Sequence, residues 1–224
     1  MIYILNIETS TKNCSVTIAR NGETVSCNEI AEEGYSHAER LHVFIEASLK
    51  EVGIGYKDLV AIAVSHGPGS YTGLRIGVSA AKGLCYALGI PLIAVDTLKI
   101  LAAQAPVSDG LIIPMIDARR MEVYSAIFTS ELESKRKTRA EIIDEDSFGE
   151  LTGPVYFVGD CSEKAQTVLI KENFTFLEAI KYPSANQMSI LSFEKYNISD
   201  TVNVAYFEPL YLKDFMVTTS KKNV

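Results

Sequence analysis

The stretch Gly67-Pro68-Gly69-Ser70-Tyr71-Thr72-Gly73-Leu74-Arg75 limits the fold more than any other part of the chain. Paired glycines around a proline can continue neither a strand nor a helix, so the backbone must turn there. The unbroken apolar run at 59–64 before it reads as a buried strand. The small apolar residues at 76–88 after it read as a helix. A strand, a glycine-rich turn and a helix can aim backbone N–H groups at an anion. The same unit can simply let a helix sit close to a sheet, because short glycine-rich patterns recur without a ligand.

The 224 residues suffice for one large domain or two small ones, and 47% of them are hydrophobic, enough for a sizeable core. The formal charge of −7 makes the chain a poor lone binder of nucleic acid, since phosphate contacts need clustered Lys and Arg. If RNA is involved, another subunit should supply the positive surface. Cys14, Cys27, Cys85 and Cys161 form no C-x-x-C pair, which predicts a reduced, cytoplasmic protein. The apolar residues 1–7 lack a basic flank and meet Glu8 at once, so no signal peptide is expected. Lys82 and Pro91 interrupt the apolar zone 76–95, which excludes it as a membrane span.

In chain order, strands are predicted over 2–7, 14–19 and 23–27. Asn21-Gly22 joins the last two as a tight hairpin. Ser36-His37-Ala38-Glu39 has the capping-box pattern and should open a helix running to 52. Leu41, Phe44, Ile45, Ser48 and Val52 lie on one stripe of that helix, with Val43 and Ala47 beside it. The stripe is wider than docking on one sheet requires. It fits either a deeply buried helix or one that also meets a partner. A strand at 59–64, the glycine motif, a helix over 72–88, a strand at 90–95 and a helix at 98–104 complete the first half. Gly73, Gly77 and Ala81 share one face of the 72–88 helix, and each interior glycine there costs about 1 kcal/mol relative to Ala. Close approach by the sheet or another helix should offset that cost.

Pro, Ser, Asp and Gly at 105–110 mark a boundary, which divides the chain into 1–106 and 107–224. The second half restarts with strands at 111–116 and 122–128 around the turn Asp117-Ala118-Arg119-Arg120. Strands at 139–143 and 155–158 and helices at 162–169 and 184–196 follow. Both halves open with a strand, a polar turn carrying an acid, and another strand, a weak internal duplication. The expected fold is α/β: a two-lobed, duplicated β-β-β-α-β-α architecture like actin, Hsp70 and the sugar kinases, with a reduced second lobe.

On Ile7-Glu8-Thr9-Ser10, the nine-residue glycine motif, Asp117-Ala118-Arg119 with Glu122-Val123-Tyr124, and Pro209-Leu210-Tyr211-Leu212, the chain resembles the bacterial TsaB family. The resemblance implies a role in making threonylcarbamoyladenosine in tRNA, at the adenosine 3′ of the anticodon. It implies a noncatalytic scaffold and activator that binds the transferase TsaD, with the ATPase TsaE joining them and tRNA reached through the complex. The alternative is an autonomous small-molecule kinase or ATPase of the same superfamily.

The residues themselves fit a noncatalytic role. The catalytic relative carries two metal-binding His at i and i+4, and here those positions hold Thr97 and Leu101, not a pair for a divalent metal. His37 and His42 are five apart and face different sides of a helix. No metal site is expected. Glu8, Thr9 and Ser10 stand where the superfamily governs phosphate and metal, and they read as a vestigial phosphate loop. No Walker motif or glycine-rich adenosine platform accompanies them. No cofactor of its own is expected, and nucleotide only at a junction between subunits. His66 and Ser70 do not form a G-x-S-x-G elbow. His66 is expected to end its strand with a backbone hydrogen bond.

The helix pair remains as a docking face. Leu41, Phe44, Ile45 and Ser48 on the first helix and Leu74, Gly77, Val78 and Ala81 on the second are the candidate interface, forming four helices with a related chain. The resemblance implies TsaD there, and homodimers through the same region. Gly67, Pro68, Gly69, Ser70, Thr72 and Gly73 are read mainly as backbone geometry and close packing. Arg75 is either in a fixed ion pair or makes a contact found only in the complex. Lys135, Arg136, Lys137 and Arg139 are read as a solvated hairpin turn rather than a tRNA contact. The polar tail from Val217, with Lys221 and Lys222, is open to ordering by a partner.

Overall fold

The computed structural model describes residues 1–31 and 37–213. Ser36, the expected helix cap, and the tail from Val217 lie outside the described residues.

The first half forms strands β1 (Tyr3–Glu8), β2 (Asn13–Arg20) and β3 (Glu23–Ala31), helix α1 (His37–Val52), strand β4 (Leu59–Ser65), helix α2 (Tyr71–Leu88), strand β5 (Leu92–Val95) and helix α3 (Thr97–Ala102). Asn21 and Gly22 turn the β2–β3 hairpin with φ of 52° and 89°. These are the positive values that an Asn-Gly turn tolerates. The sheet order is β3-β2-β1-β4-β5, with β1 antiparallel to β2 and parallel to β4.

The second half forms β6 (Leu111–Asp117), β7 (Glu122–Thr129), β8 (Ser134–Ile142), β9 (Val155–Gly159), α4 (Ser162–Ala165), β10 (Phe174–Phe176) and α5 (Ala185–Asn197). Its sheet order, β8-β7-β6-β9-β10, repeats the first strand for strand, and the parallel and antiparallel pairs fall in the same places. The duplication expected from two polar turns is therefore present in the topology. The fold is the two-sheet architecture of actin, Hsp70 and the sugar kinases.

α1 and α2 cover one face of the first sheet, and α5 crosses from the second half to cover the other. α3 packs on β6, β7 and β9 of the second sheet and also meets α5. Ile4, Ala63, Ile93, Met188 and Leu191 fill the layer under α5. Leu98, Leu101, Ile112 and Phe128 fill the layer under α3. Among the described residues, the outer face of the second sheet has no counterpart of α1. Its core there, including Ile143, Phe148 and Phe157, is closed by turns, and α4 is a single turn where a helix over 162–169 was expected.

The basic cluster is not a hairpin turn. Lys135, Arg136, Lys137 and Arg139 lie within edge strand β8, and the turn falls at 130–133. Arg136 and Arg139 both pair with Glu141, and the Arg136 guanidinium lies 5.0 Å from the Phe148 ring. A run of Lys and Arg along an edge strand discourages pairing with another sheet, which gives this composition a place in a strand. All four cysteines are free. No helix among the described residues is long and apolar enough to cross a membrane.

Candidate functional site

The turn after β1 and the glycine-rich turn before α2 are pressed together. Glu8, Thr9 and Ser10 are completely buried. The Ser70 N–H donates to the Ser10 carbonyl oxygen at 2.6 Å, and the Thr9 hydroxyl donates to the Gly73 carbonyl oxygen at 2.7 Å. A Cβ on Gly69 would overlap the Ser10 carbonyl oxygen. One on Gly73 would overlap the Thr9 carbonyl oxygen, and one on Gly77 the Thr9 hydroxyl. The glycines thus admit the chain's own backbone where a phosphate loop would admit a ligand.

Glu8 Oε1 accepts from the Ser10 N–H at 2.6 Å and the Ser10 hydroxyl at 2.5 Å. Burial pushes the Glu8 carboxyl up to about 7; the Ser10 bonds and the nearby Ser65 act against it. Neither Glu8 Oε2 nor the Ser65 hydroxyl has a well-formed hydrogen bond among the described residues. A carboxyl held this way is partly protonated near neutrality.

Ser70 caps α2, its hydroxyl accepting from the Gly73 N–H at 3.2 Å. The His66 N–H donates to the Val95 carbonyl oxygen at 3.0 Å, and the His66 carbonyl oxygen accepts from the Leu210 N–H at 2.7 Å. The pair therefore serves a cap and a strand end. Thr97 accepts from the Gly67 N–H at 3.1 Å, and Leu101 is in the core. Gly67, at φ 117°, also lets Leu210 approach, since a Cβ would stand 2.7 Å from the Leu210 carbonyl oxygen. Pro68 is buried beside it, while Thr72 is exposed on the first turn of α2.

The second-half counterpart of the buried turn is open. Asp117 pairs with Lys164, whose ammonium also donates to the Arg120 and Glu122 carbonyl oxygens at 2.8 and 2.7 Å. The segment carrying Pro209, Leu210 and Tyr211 links the two halves. Leu210 bonds His66 as above, and Lys213 pairs with Glu122.

The helix pair presents other residues than those expected. Leu41, Ile45, Ser48, Leu74, Gly77, Val78 and Ala81 are buried in the chain's own core, and Phe44 is half-buried against it. A partner cannot reach the buried ones, because the stripe that looked too wide is spent on the first sheet. The outer face instead carries Val43 of α1, 56% exposed, and Tyr86 of α2, 87% exposed. Ser79, Gly83 and Ala87 line the exposed side of α2 at intervals of four. A Cβ on Gly83 would meet nothing within 4 Å. α2 therefore has two stripes of small residues, one facing Thr9 and one facing outward. The outward stripe has the same four-residue spacing as the inner one, which carries more glycine.

Residues 29–220 match the profile of the family described as TsaD: tRNA N6-adenosine threonylcarbamoyltransferase. The chain is 31% identical to the tRNA threonylcarbamoyladenosine biosynthesis protein TsaB of Escherichia coli, over 94% of each chain. The chain belongs to the TsaB family. It is 40% identical to the TsaB protein of Bacillus subtilis over 56% of this chain and 54% of that one. An uncharacterized protein with similarity to peptidase YeaZ from Pseudomonas aeruginosa superposes with a TM-score of 0.83, at 26% identity, over 95% of this chain and all of that one. The TsaB landmark residues thus fall at the buried turn, the glycine motif, the open turn and the linking segment.

Proposed function

We propose that this chain is a noncatalytic subunit in the biosynthesis of threonylcarbamoyladenosine in tRNA, acting by docking a TsaD-type transferase on the outer face of α1 and α2. The observation that carries this reading is the closed turn. Glu8, Thr9 and Ser10 have no exposed surface for a phosphate, and the glycines facing them are filled by backbone. An autonomous kinase or ATPase would need that turn open. The outer helix face, with Val43, Tyr86 and the small stripe, suits close approach of a second helix pair. Without the transferase the same face is free to pair two copies of this chain. A TsaE-type ATPase and tRNA join through the complex, and any nucleotide sits at a junction between subunits.

Titration of the transferase with the wild-type chain, Val43→Asp and Gly83→Trp tests this. Both substitutions lie on exposed helix surface and leave the monomer folded. Loss of binding in both supports the outer face. Full binding by both would remove it from consideration.

A further inference from the structure

Arg75 stands exposed on the second turn of α2, and two aromatic rings fix its plane. Its guanidinium carbon lies 4.1 Å from the centroid of the Tyr71 ring, one helical turn before it. Its Nε donates to the Tyr211 hydroxyl at 3.3 Å. The two tyrosine rings are 4.9 Å apart, so residues from distant parts of the chain close around one cation. The expected ion pair is absent: Arg75 makes none among the described residues, whereas Arg136 and Arg139 both engage Glu141. With Nε occupied, Nη1 and Nη2 have no partner among the described residues and form a fork on the exposed side of a helix that carries no acid.

The fork borders a groove of about 220 Å³ between α2 and the linking segment, walled by Val78, Ser79, Lys82 and Phe207. The Lys82 ammonium is already held by the Ala205 and Phe207 carbonyl oxygens at 3.2 and 2.8 Å. Glu208 lines the same groove without forming an ion pair with Arg75. Glu208 at the rim opposes an incoming acid and the groove walls are mixed, but a single free fork suits one carboxylate through two parallel bonds. It does not suit a phosphodiester strand, which needs several cations together. Planar guanidinium recognises carboxylate through two parallel bonds, and a side chain already fixed loses little freedom on binding.

We propose that Arg75 is a prearranged receptor for an Asp or Glu side chain of the protein that docks on α1 and α2. The inference rests on the docking reading above. The test is calorimetric titration of the transferase with wild-type chain, R75Q, R75K, Y211F and V43D at low and moderate salt. R75Q and R75K should weaken binding about tenfold or more and flatten its salt dependence. Y211F, which frees the guanidinium, should weaken it severalfold. R75E should lose binding, and reversal of one acid on the docking helices of the transferase to Arg should restore it. If V43D binds as wild type, the docking face fails and this inference with it. If V43D loses binding while R75Q keeps wild-type affinity and salt dependence, docking stands and the Arg75 receptor is overturned. Unchanged transferase binding with weakened tRNA capture by the R75Q complex would overturn it in favour of a phosphate.

Discussion

The Thr9 hydroxyl donates to the Gly73 carbonyl oxygen at 2.7 Å, and the Thr9 carbonyl oxygen occupies the place a Cβ on Gly73 would take. The two turns that would part around a phosphate are here one packed unit. Gly73→Ala forces a backbone shift in a site with no slack. It should cost about 3 kcal/mol or more, within the range of severe core overpacking. Gly83→Ala, on the same helix with open space around it, should be neutral or stabilise by up to about 1 kcal/mol. Urea unfolding of the two variants checks the contrast.

Glu8 makes stability depend on pH. Its ordinary value is 4.5 and the folded value is about 7. Below 4.5 the carboxyl is protonated whether the chain is folded or not, and its contribution is full. As pH rises from 4.5 to 7 the unfolded chain gives up a proton the folded chain keeps, so stability falls. Above 7 the loss is complete. Glu8→Gln keeps the shape of the protonated group and removes the titration. The wild type should lose on the order of a few kcal/mol relative to the variant across this window. Denaturant unfolding of both proteins at several pH values measures it, and a flat difference would show that Glu8 is not raised.

Burial works to raise the Glu141 carboxyl, but Ser125, Arg139 and Arg136 more than offset it and leave it below the usual range. Arg136→Met removes the better buried of its two cations and leaves the acid in a half-buried site. The variant should lose about 1–3 kcal/mol near neutral pH, and less in acid, where Glu141 is protonated. Thermal melts at pH 7 and pH 4 check the sign.

A charge on the core side of α1 or α2 should unfold the monomer rather than release a partner. Leu41 and Leu74 are fully buried, so Leu41→Asp puts a carboxylate into the core cluster that holds Ile7, Ile45 and Ile62, and Leu74→Asp buries one at the start of α2. Val43→Asp, on the exposed side of α1, should melt within about 0.5 kcal/mol of wild type. Circular dichroism melts of the three variants separate the faces.

Those residues also mark what was legible in the sequence. Asn21-Gly22 fixed its hairpin because few dipeptides accept two positive φ values. The glycine motif gave its strand, turn and helix for the same local reason. The spacing of Leu41, Ile45 and Ser48 identified one helix face but not what covers it, since that depends on β2 and β3, far away in sequence. β10 has three residues, too few for a periodic pattern, and was not anticipated. The basic cluster reads as a loop because the partners of Arg136 and Arg139, Glu141 and Phe148, are supplied only by the strand register and the fold. The Tyr211–Arg75 contact joins residues 136 positions apart and has no local signature.

Reconstituted formation of threonylcarbamoyladenosine tests the central claim most directly. Transferase, ATPase and tRNA would be assayed alone, with the wild-type chain, and with Val43→Asp. Modification should require the wild-type chain, fail with the variant that cannot dock, and proceed with no ATP turnover by this chain alone. Full modification without the chain, or with a variant shown not to bind the transferase, would contradict the account.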